Sequence, residues 1–297
     1  GKGSRNKTLS FPLKADKYTF FKLEITELID NKQKPQLAEL SIDASTELPY
    51  SDYTRTLDID NAIHTVMYKE NGITFKREYF MSYPDNVMVM RLTSDSKKGK
   101  LSRIISLESL HTDKTITADG HTITMTGYPT PVSGDKRVGD AWKNGLKYAQ
   151  QLVVKNKGGK ISVVDGTKLK VEDADEIIVL MSAATNYVQC MDDSYNYFSQ
   201  EDPLEKVQAT LHKVADKKYT ALLATHQKDY HSLYDRMRLN LGNLPEAPVA
   251  PTDSLLKGMD ENTNSEQENQ YLEMLYFQFG RYLLISSSRE GSLPANL

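Results

Sequence analysis

The amino-acid sequence predicts a mainly β protein, an antiparallel β-sandwich followed by helices, and three observations carry that reading. Short runs rich in β-branched and aromatic residues recur from Ala62 to Ala183, separated by Gly, Asn, Asp and Pro turns. No helical pattern stands between those runs, so the strand-helix alternation that builds a parallel sheet is missing. At Asp202 the hydrophobic period changes from two to near 3.6 and helical stripes take over.

The strands follow in order. Runs 62–68 and 73–81 flank Asn71-Gly72, a strong hairpin signal, and the second alternates Ile73, Phe75, Arg77, Tyr79 and Met81. Tyr83-Pro84-Asp85-Asn86 turns the chain into 87–92, and a turn over 94–99 leads into 101–107. Further runs are 115–118, 122–126, 146–154, 161–164, 168–171 and 176–183, with Asp119-Gly120, Lys157-Gly158-Gly159 and Asp165-Gly166 as turns. Residues 1–200 are read as one sandwich domain. The stretch 128–144 breaks the rhythm with Pro129, Pro131, Gly134 and Gly139 around the sole tryptophan, Trp142. As a long loop on a rigid sheet it makes Trp142 a candidate for stacking on a sugar ring or a base; the alternative is a plug in the sandwich edge.

Asp202 as N-cap, Pro203 at the first helical position and Glu205 behind them agree on a helix start, and Leu204, Val207, Leu211 and Val214 share one face. A second helix carries Tyr219, Leu222, Leu223, His226, Tyr230, Leu233 and Tyr234. Residues 237–241 alternate like one short strand. Pro245, Pro248 and Pro251 then place a linker at 242–264, which closes a helical connector spanning 201–264. Ser265-x-x-Glu268 is a capping box, and 271–288 reads as a helix stopping near Gly291. Leu272, Leu275, Phe277, Phe279, Leu283, Leu284 and Ile285 occupy most of its circumference, so burial on nearly every side is expected. Burying those side chains is worth on the order of 10–20 kcal/mol. The expectation is therefore that 265–297 is the first helix of an α-helical domain continuing past Leu297. In this chain, helix 271–288 would dock on the sandwich, self-associate or be disordered.

The 297 residues carry 37 Lys and Arg against 40 Asp and Glu, a balance of −3 that argues against nucleic-acid binding by bulk charge. The lone Cys190 excludes an intrachain disulfide framework and a cysteine-rich zinc site. No run approaches the roughly 20 apolar residues of a membrane span, and residues 1–30 lack a signal-peptide core. The sequence opens without Met, which adds to the expectation that it is an excised piece of a longer protein.

Catalytic signatures are missing. There is no P-loop, no Gly-x-Gly-x-x-Gly and no Gly-x-Ser-x-Gly. His226 and His231 are spaced by five, which does not project both rings to one side of a helix, so no metal and no cofactor are expected. His64 and His226 read as hydrogen-bonded structural imidazoles, and Cys190 as a small buried side chain. Acidic clusters stand at Asp58 and Asp60, at Asp173, Asp175 and Glu176, and at Asp192 and Asp193. A glycosidase needs two carboxyl groups positioned in space, which linear proximity does not establish. Asp173 and Asp175 read as turn residues, whereas Asp192 and Asp193 in a Tyr-rich turn are candidates for a cation.

Two stretches do carry a resemblance. Leu275-Tyr276-Phe277-Gln278-Phe279-Gly280-Arg281-Tyr282-Leu283-Leu284-Ile285-Ser286-Ser287-Ser288-Arg289, with Leu293-Pro294-Ala295-Asn296-Leu297, resembles the opening of the catalytic barrel of glycoside hydrolase family 95, the inverting α-L-fucosidases. Ser51-Asp52-Tyr53-Thr54-Arg55-Thr56-Leu57-Asp58-Ile59-Asp60, through Arg77-Glu78-Tyr79-Phe80 and Tyr83-Pro84-Asp85-Asn86-Val87 to Arg91-Leu92-Thr93, is similar to that family's N-terminal β-domain. His226-Gln227-Lys228-Asp229-Tyr230 and Leu233-Tyr234-Asp235-Arg236 resemble its linker helices. The resemblance runs from Leu37 to Leu297, and residues 1–36 match poorly.

It implies a β-sandwich, a helical linker, an (α/α)6 barrel and a C-terminal β-domain. Fold class is accordingly an antiparallel β-sandwich, a helical linker and the start of an (α/α)6 barrel. The family's general acid is a barrel Glu and its water is activated by Asn and Asp groups; all follow the Leu-Pro-Ala-Asn-Leu segment, so no catalytic residue is expected in this chain. Substrate contacts are expected at Trp142, Arg289 and Asn296, the last two near the barrel mouth; a capping arginine and a turn asparagine are the alternatives. The implied activity is hydrolysis of terminal α-L-fucosyl or α-L-galactosyl linkages in glycans, in the periplasm or outside a bacterial cell, with the catalytic barrel as intramolecular partner. The rivals are a stand-alone carbohydrate-binding or adhesion sandwich and a structural domain serving another barrel chemistry, such as a phosphorylase.

Overall fold

The computed structural model describes residues 50–96, 101–129, 145–189, 197–242, 250–292 and 294–295. Trp142, Cys190, Asp192, Asp193 and Asn296 lie outside them. The chain divides into units 1–49 and 50–297, and the described residues all belong to the second.

Eleven strands precede four helices among the described residues: β1 (Tyr50–Asp58), β2 (Ile63–Glu70), β3 (Ile73–Ser82), β4 (Val87–Ser94), β5 (Leu101–Ile105), β6 (Lys114–Asp119), β7 (Thr122–Gly127), β8 (Tyr148–Lys157), β9 (Lys160–Val164), β10 (Lys168–Ala174), β11 (Glu176–Thr185), α1 (Pro203–Val214), α2 (Tyr219–Tyr234), α3 (Thr252–Asp260) and α4 (Glu266–Ser287). The hairpin turns have the chemistry their residues demand. Asn71 and Gly72 both take positive φ, 52° and 74°, and Asp165 and Gly166 do the same at 54° and 63°, the twist a two-residue loop needs between right-twisted strands. Asp173, at φ 56°, sits in the irregular register of β10 against β5, in keeping with a turn-type role.

Pairing is antiparallel throughout. An eight-stranded sheet has the order β1-β2-β3-β4-β11-β8-β7-β6, and a three-stranded sheet has the order β5-β10-β9. The two enclose one core: Val66, Tyr68, Phe75, Leu92, Ile123, Leu152, Val154, Ile177 and Val179 from the large sheet meet Leu101, Leu169, Val171 and Ala174 from the small one. The opposite face of the large sheet is also covered. Phe80, Val87, Val89, Ala149 and Leu180 there pack against Val207, Leu211 and Val214 of α1 and Tyr219 and Leu222 of α2. Burial on both faces explains why 176–183 reads as a nearly continuous apolar run: Ile177 and Val179 point to the small sheet, Leu180 to the helices. Lys155 of β8 donates to the carbonyls of Ala215 and Lys217, putting a cation at the C-terminal end of α1.

The helix starts are as expected. The Asp202 carboxylate accepts from the Leu204 amide at the head of α1, and Ser265 forms a full capping box with Glu268 at the head of α4. Four features differ from the sequence reading. First, β1 carries almost no apolar alternation because it is a polar edge strand, half-buried only at Leu57, so no core-facing signal marks it. Second, 237–241 is not a strand; Met237 is half exposed and pairs with no sheet. Third, α3 stands inside the proline-rich segment 242–264, starting directly after Pro251, and buries Leu255 against α4. Fourth, α4 is not buried on nearly every side. Tyr271, Leu272 and Gln278 are buried, while Tyr276 is 80% and Leu284 60% exposed, because α2 and α3 cover one face only. No helix among the described residues is long and apolar enough to cross a membrane.

Candidate functional site

The residues with most polar chemistry meet where α2 and α4 join the sandwich. Helix α2 lays Leu222 on the large sheet, and the stripe that follows on it is His226, Tyr230 and Tyr234, spaced four apart and therefore stacked along one face. The rings form a column: Phe80 of the sheet lies 4.8 Å from His226, and Tyr230 lies 6.3 Å from His226 and 5.1 Å from Tyr234. Beside the column runs the turn that follows β1. His226 Nε2 is 3.1 Å from the Asn61 carbonyl, and the Tyr230 hydroxyl donates to the Ile59 carbonyl at 2.7 Å.

Asn61 is the hub of this turn. Its side-chain oxygen accepts from Gln227 Nε2 at 3.0 Å and faces His231 Nε2 at 3.2 Å, while its amide nitrogen donates to Asp58 at 2.8 Å. His231 Nδ1 in turn lies 2.8 Å from Asp235 Oδ2, and this hydrogen bond holds the Asp235 carboxyl below the usual carboxylate range. Burial pushes the His226 imidazole down from its ordinary value and pushes the Tyr230 phenol up; burial first, then the charge of Asp60, does the same to Tyr234. His64 lies elsewhere, 5.4 Å from the Tyr79 ring.

Helix α4 is fixed by two arginines. Arg281 donates to the Tyr234 carbonyl at 2.7 Å, satisfying an orphan group at the end of α2, and to Gln278 Oε1 at 2.8 Å, with its guanidinium 4.8 Å over the Tyr234 ring. Arg289 has a side chain only 15% exposed. Its Nε donates to the Ile285 carbonyl at 2.7 Å, its two terminal nitrogens reach both oxygens of Asp229 at 3.3 and 2.9 Å, and its guanidinium lies 4.4 Å over the Tyr83 ring. One side chain thus ties α4 to α2 and to the turn between β3 and β4. Asp85 of the same turn, with a side chain 4% exposed, pairs with Lys217 at 2.6 Å and accepts from Ser82 at 2.7 Å. A further anchor is Arg91 on β4, which bonds Glu176 at 2.6 Å and lies 4.6 Å over the ring of Tyr219, whose phenol burial pushes up to about 12.

Chemically, this arrangement ties side chains to one another and positions the helices. Asp58, Asp229 and Asp235 are engaged with Asn61, Arg289 and His231, and Asp60 lies beside the Tyr234 phenol. Among the described residues no group of three or more His, Cys, Asp or Glu is arranged to hold a metal ion. Of the expected substrate contacts, Arg289 is placed in the clamp, and Trp142 and Asn296 lie outside the described residues. Asn61, Asp229 and Arg281 carry the junction without having been singled out. The signal for Arg281 is visible: with Glu273 it is one of two charges in the apolar run 271–288. Asp229 and Asn61 have no comparable signal, because their partners are distant in sequence.

A family model described as glycosyl hydrolase family 65, N-terminal domain, matches residues 16–190, and one described as glycosyl hydrolase family 95 catalytic domain matches 218–297. The first begins ahead of Leu37 and so takes in residues 16–36, which carry no recognised motif. The second begins at Lys218, the N-cap of α2, so the clamp joins the two matched parts. Among curated relatives, "Probable alpha-fucosidase A" of Aspergillus niger is 32% identical over 267 residues, covering 88% of this chain and 32% of that protein. "Alpha-L-fucosidase 2" of Arabidopsis thaliana is 33% identical over 262 residues, covering 83% and 30%, and "Probable alpha-fucosidase A" of Aspergillus oryzae is 28% identical over 280, covering 88% and 35%. The chain spans about a third of the length of these relatives. Matched over more than half its length by the first model, the chain belongs to the proteins that carry the glycosyl hydrolase family 65 N-terminal domain, and from α2 onward it is similar to the glycosyl hydrolase family 95 catalytic domain.

Proposed function

We propose that this chain is the N-terminal, non-catalytic part of an α-L-fucosidase-like glycoside hydrolase, and that its task is to brace the catalytic barrel. The observation that carries this is the Arg289, Asp229 and Tyr83 clamp, which joins the part matched as catalytic domain to the sandwich. The longer polypeptide hydrolyses terminal α-L-fucosyl or related α-L-galactosyl linkages of glycans with inversion. Its acid and its water-activating groups lie outside this sequence, in the barrel.

Three relatives named as α-fucosidases support the activity. The exposed side of α4, with Tyr276, Leu283 and Leu284, supports a barrel whose further helices cover it. On this reading 1–200 is the sandwich domain, 201–264 the connector and 265–297 the first barrel helix. Of the three residues expected at the substrate, Trp142 and Asn296 keep that role. Arg289 takes the bracing one, because its guanidinium is already engaged on three sides. The site of action is the periplasm or exterior of a bacterial cell, where glycan termini are reached.

The test is fucose release from 2′-fucosyllactose and from a nitrophenyl α-L-fucoside. This chain alone should release none and the full-length protein should turn over at least one of them. Turnover by this chain would overturn the bracing role, and an inert full-length protein would overturn the fucosidase reading.

A further inference from the structure

Two arginines from opposite sheets converge on one phenol. On β3 the side chains of Ile73, Phe75 and Tyr79 face the sandwich interior, and Arg77 shares their face by alternation; on β5 Arg103 stands between the inward Leu101 and Ile105. Arg77 and Arg103 each donate from a terminal nitrogen to the hydroxyl of Tyr68, on β2, at 3.2 and 3.1 Å. The Tyr68 and Phe75 rings stack at 5.4 Å, with the Arg77 guanidinium 5.3 Å from the first and the Arg103 guanidinium 5.2 Å from the second.

This pair differs from the half-buried Arg91 and Arg289, which have carboxylate partners, and from Arg281, which is spent on the Tyr234 carbonyl and Gln278 at the junction. Arg91 has Glu78 and Glu176, and Arg289 has Asp229, but among the described residues no carboxylate lies within ion-pair distance of Arg77 or Arg103. Each guanidinium presents five N–H donors in a rigid fork. Arg77 is engaged by the hydroxyls of Tyr68 and Tyr79, and Arg103 gives one donor to the Tyr68 phenol and one to the Ser102 carbonyl. Two like charges are thus held together on a neutral oxygen, with most of their donors unspent among the described residues and a shared preference for an anion between them.

The aromatic surface continues outward from this pair. Tyr50 lies 6.1 Å from Tyr68 and Tyr53 lies 5.9 Å from Tyr50, and the two rings are 39% and 53% exposed on edge strand β1. A planar cationic fork beside exposed aromatic faces matches a ligand with a carboxylate at one end and an apolar ring face behind it.

We propose that this edge of the sandwich binds a saccharide bearing a carboxylate, a uronic acid unit, with Arg77 and Arg103 holding the carboxylate and Tyr50 and Tyr53 stacking on the sugar ring. The site lies on the face of the large sheet opposite α1 and α2, apart from the clamp, and it does not depend on what the barrel hydrolyses.

The experiment is calorimetric titration of the 297-residue chain with trigalacturonic acid, with a neutral galactose trisaccharide and with inorganic sulfate. Trigalacturonic acid should bind saturably and at least tenfold more tightly than the neutral sugar. Arg77→Gln and Arg103→Gln should each weaken it at least tenfold with an unchanged circular dichroism spectrum. Arg77→Lys, which keeps the charge and stem but not the fork, is the variant to use if the glutamine forms fail to fold, and it should lose affinity too. Tyr53→Ser should weaken the uronate severalfold and leave sulfate untouched. Sulfate binding as tightly as the uronate would overturn the saccharide assignment. No saturable binding, or binding indifferent to the arginine variants, would overturn the site.

Discussion

Helices α1 and α2 are held to the sandwich by the means that hold a core together, whereas α4 is held by the means that hold an interface. Val207, Leu211 and Val214 of α1 and Leu222 of α2 are buried in one apolar cluster with the outer face of the large sheet. Helix α4 buries Tyr271 and Leu272 against α3 and otherwise reaches α2 and the sheet through Arg281, Arg289 and aromatic rings. Hydrophobic burial is strong and indifferent to direction, and guanidinium forks are weaker but fix geometry. The packing boundary and the family boundary therefore fall in different places: α2 is matched with the catalytic domain yet packs as a layer of the sandwich.

The largest expected effect tests the first half of that contrast. Leu222→Ala empties a site that is 0% exposed and should destabilise the chain by about 2–5 kcal/mol. In urea the sheet and α1–α2 should unfold together at the lower midpoint. Separate transitions for sheet and helices would show that α2 is not part of the sandwich layer.

Next comes the clamp. Arg289→Ala leaves a largely buried Asp229 without its partner and should cost about 1.5–3 kcal/mol, with faster amide exchange across 280–292 and unchanged exchange in β4 and β11. Asp229→Ala should do much the same, and the double variant should cost less than the sum, since both remove one interaction. Additive losses would mean that the two residues act separately.

His226 sharpens the comparison further, because it sits where the apolar layer passes into the polar junction. Its imidazole stacks on Phe80 and meets the Asn61 carbonyl, and the charge of Asp229 acts on it more weakly than burial does. Folded, it is harder to protonate than in the unfolded chain, so the unfolded state takes up the proton first as pH falls. Its contribution is intact above the ordinary histidine pKa of about 6.5 and is lost as pH drops through the lower folded value. His226→Gln should cost about 1–2 kcal/mol at pH 7 and flatten the decline in Tm below pH 6.5. An unaltered pH profile would show that the ring does not carry the acid sensitivity of the junction.

The sequence made the apolar layer legible and the clamp opaque, for a physical reason. Strand alternation in β3 and the spacing of Val207, Leu211 and Val214 are local patterns, each visible within a dozen residues. The turns and caps are local too, and Asn71-Gly72, Asp202 and Ser265 appear where their chemistry places them. The junction is built from pairs such as Asn61 with His231 and Asp229 with Arg289, whose meeting depends on the whole fold. Strand β1 escaped for the opposite reason: an edge strand with exposed side chains has no buried face to announce. The resemblance in 275–297 falls inside the stretch 218–297 matched as catalytic domain, but the clamping of Arg289 is a property of the fold that no local pattern announces.

The smallest effect bears on the open side of α4 and reverses in sign. Gly280 sits mid-helix, and a Cβ added there meets nothing within 4 Å. Tyr276, Leu283 and Leu284 flank it on the same exposed face, at helical spacings of three and four. In this chain Gly280→Ala should therefore stabilise by about 0.5–1 kcal/mol, because the helix loses a flexible residue and gains no clash. The proposed barrel makes the notch a place where another helix approaches closely. In the full-length protein the same substitution should then be neutral or destabilising, read as the Tm difference between the two backgrounds. Equal stabilisation in both would leave the notch uncovered and remove the reason for placing a barrel helix against α4.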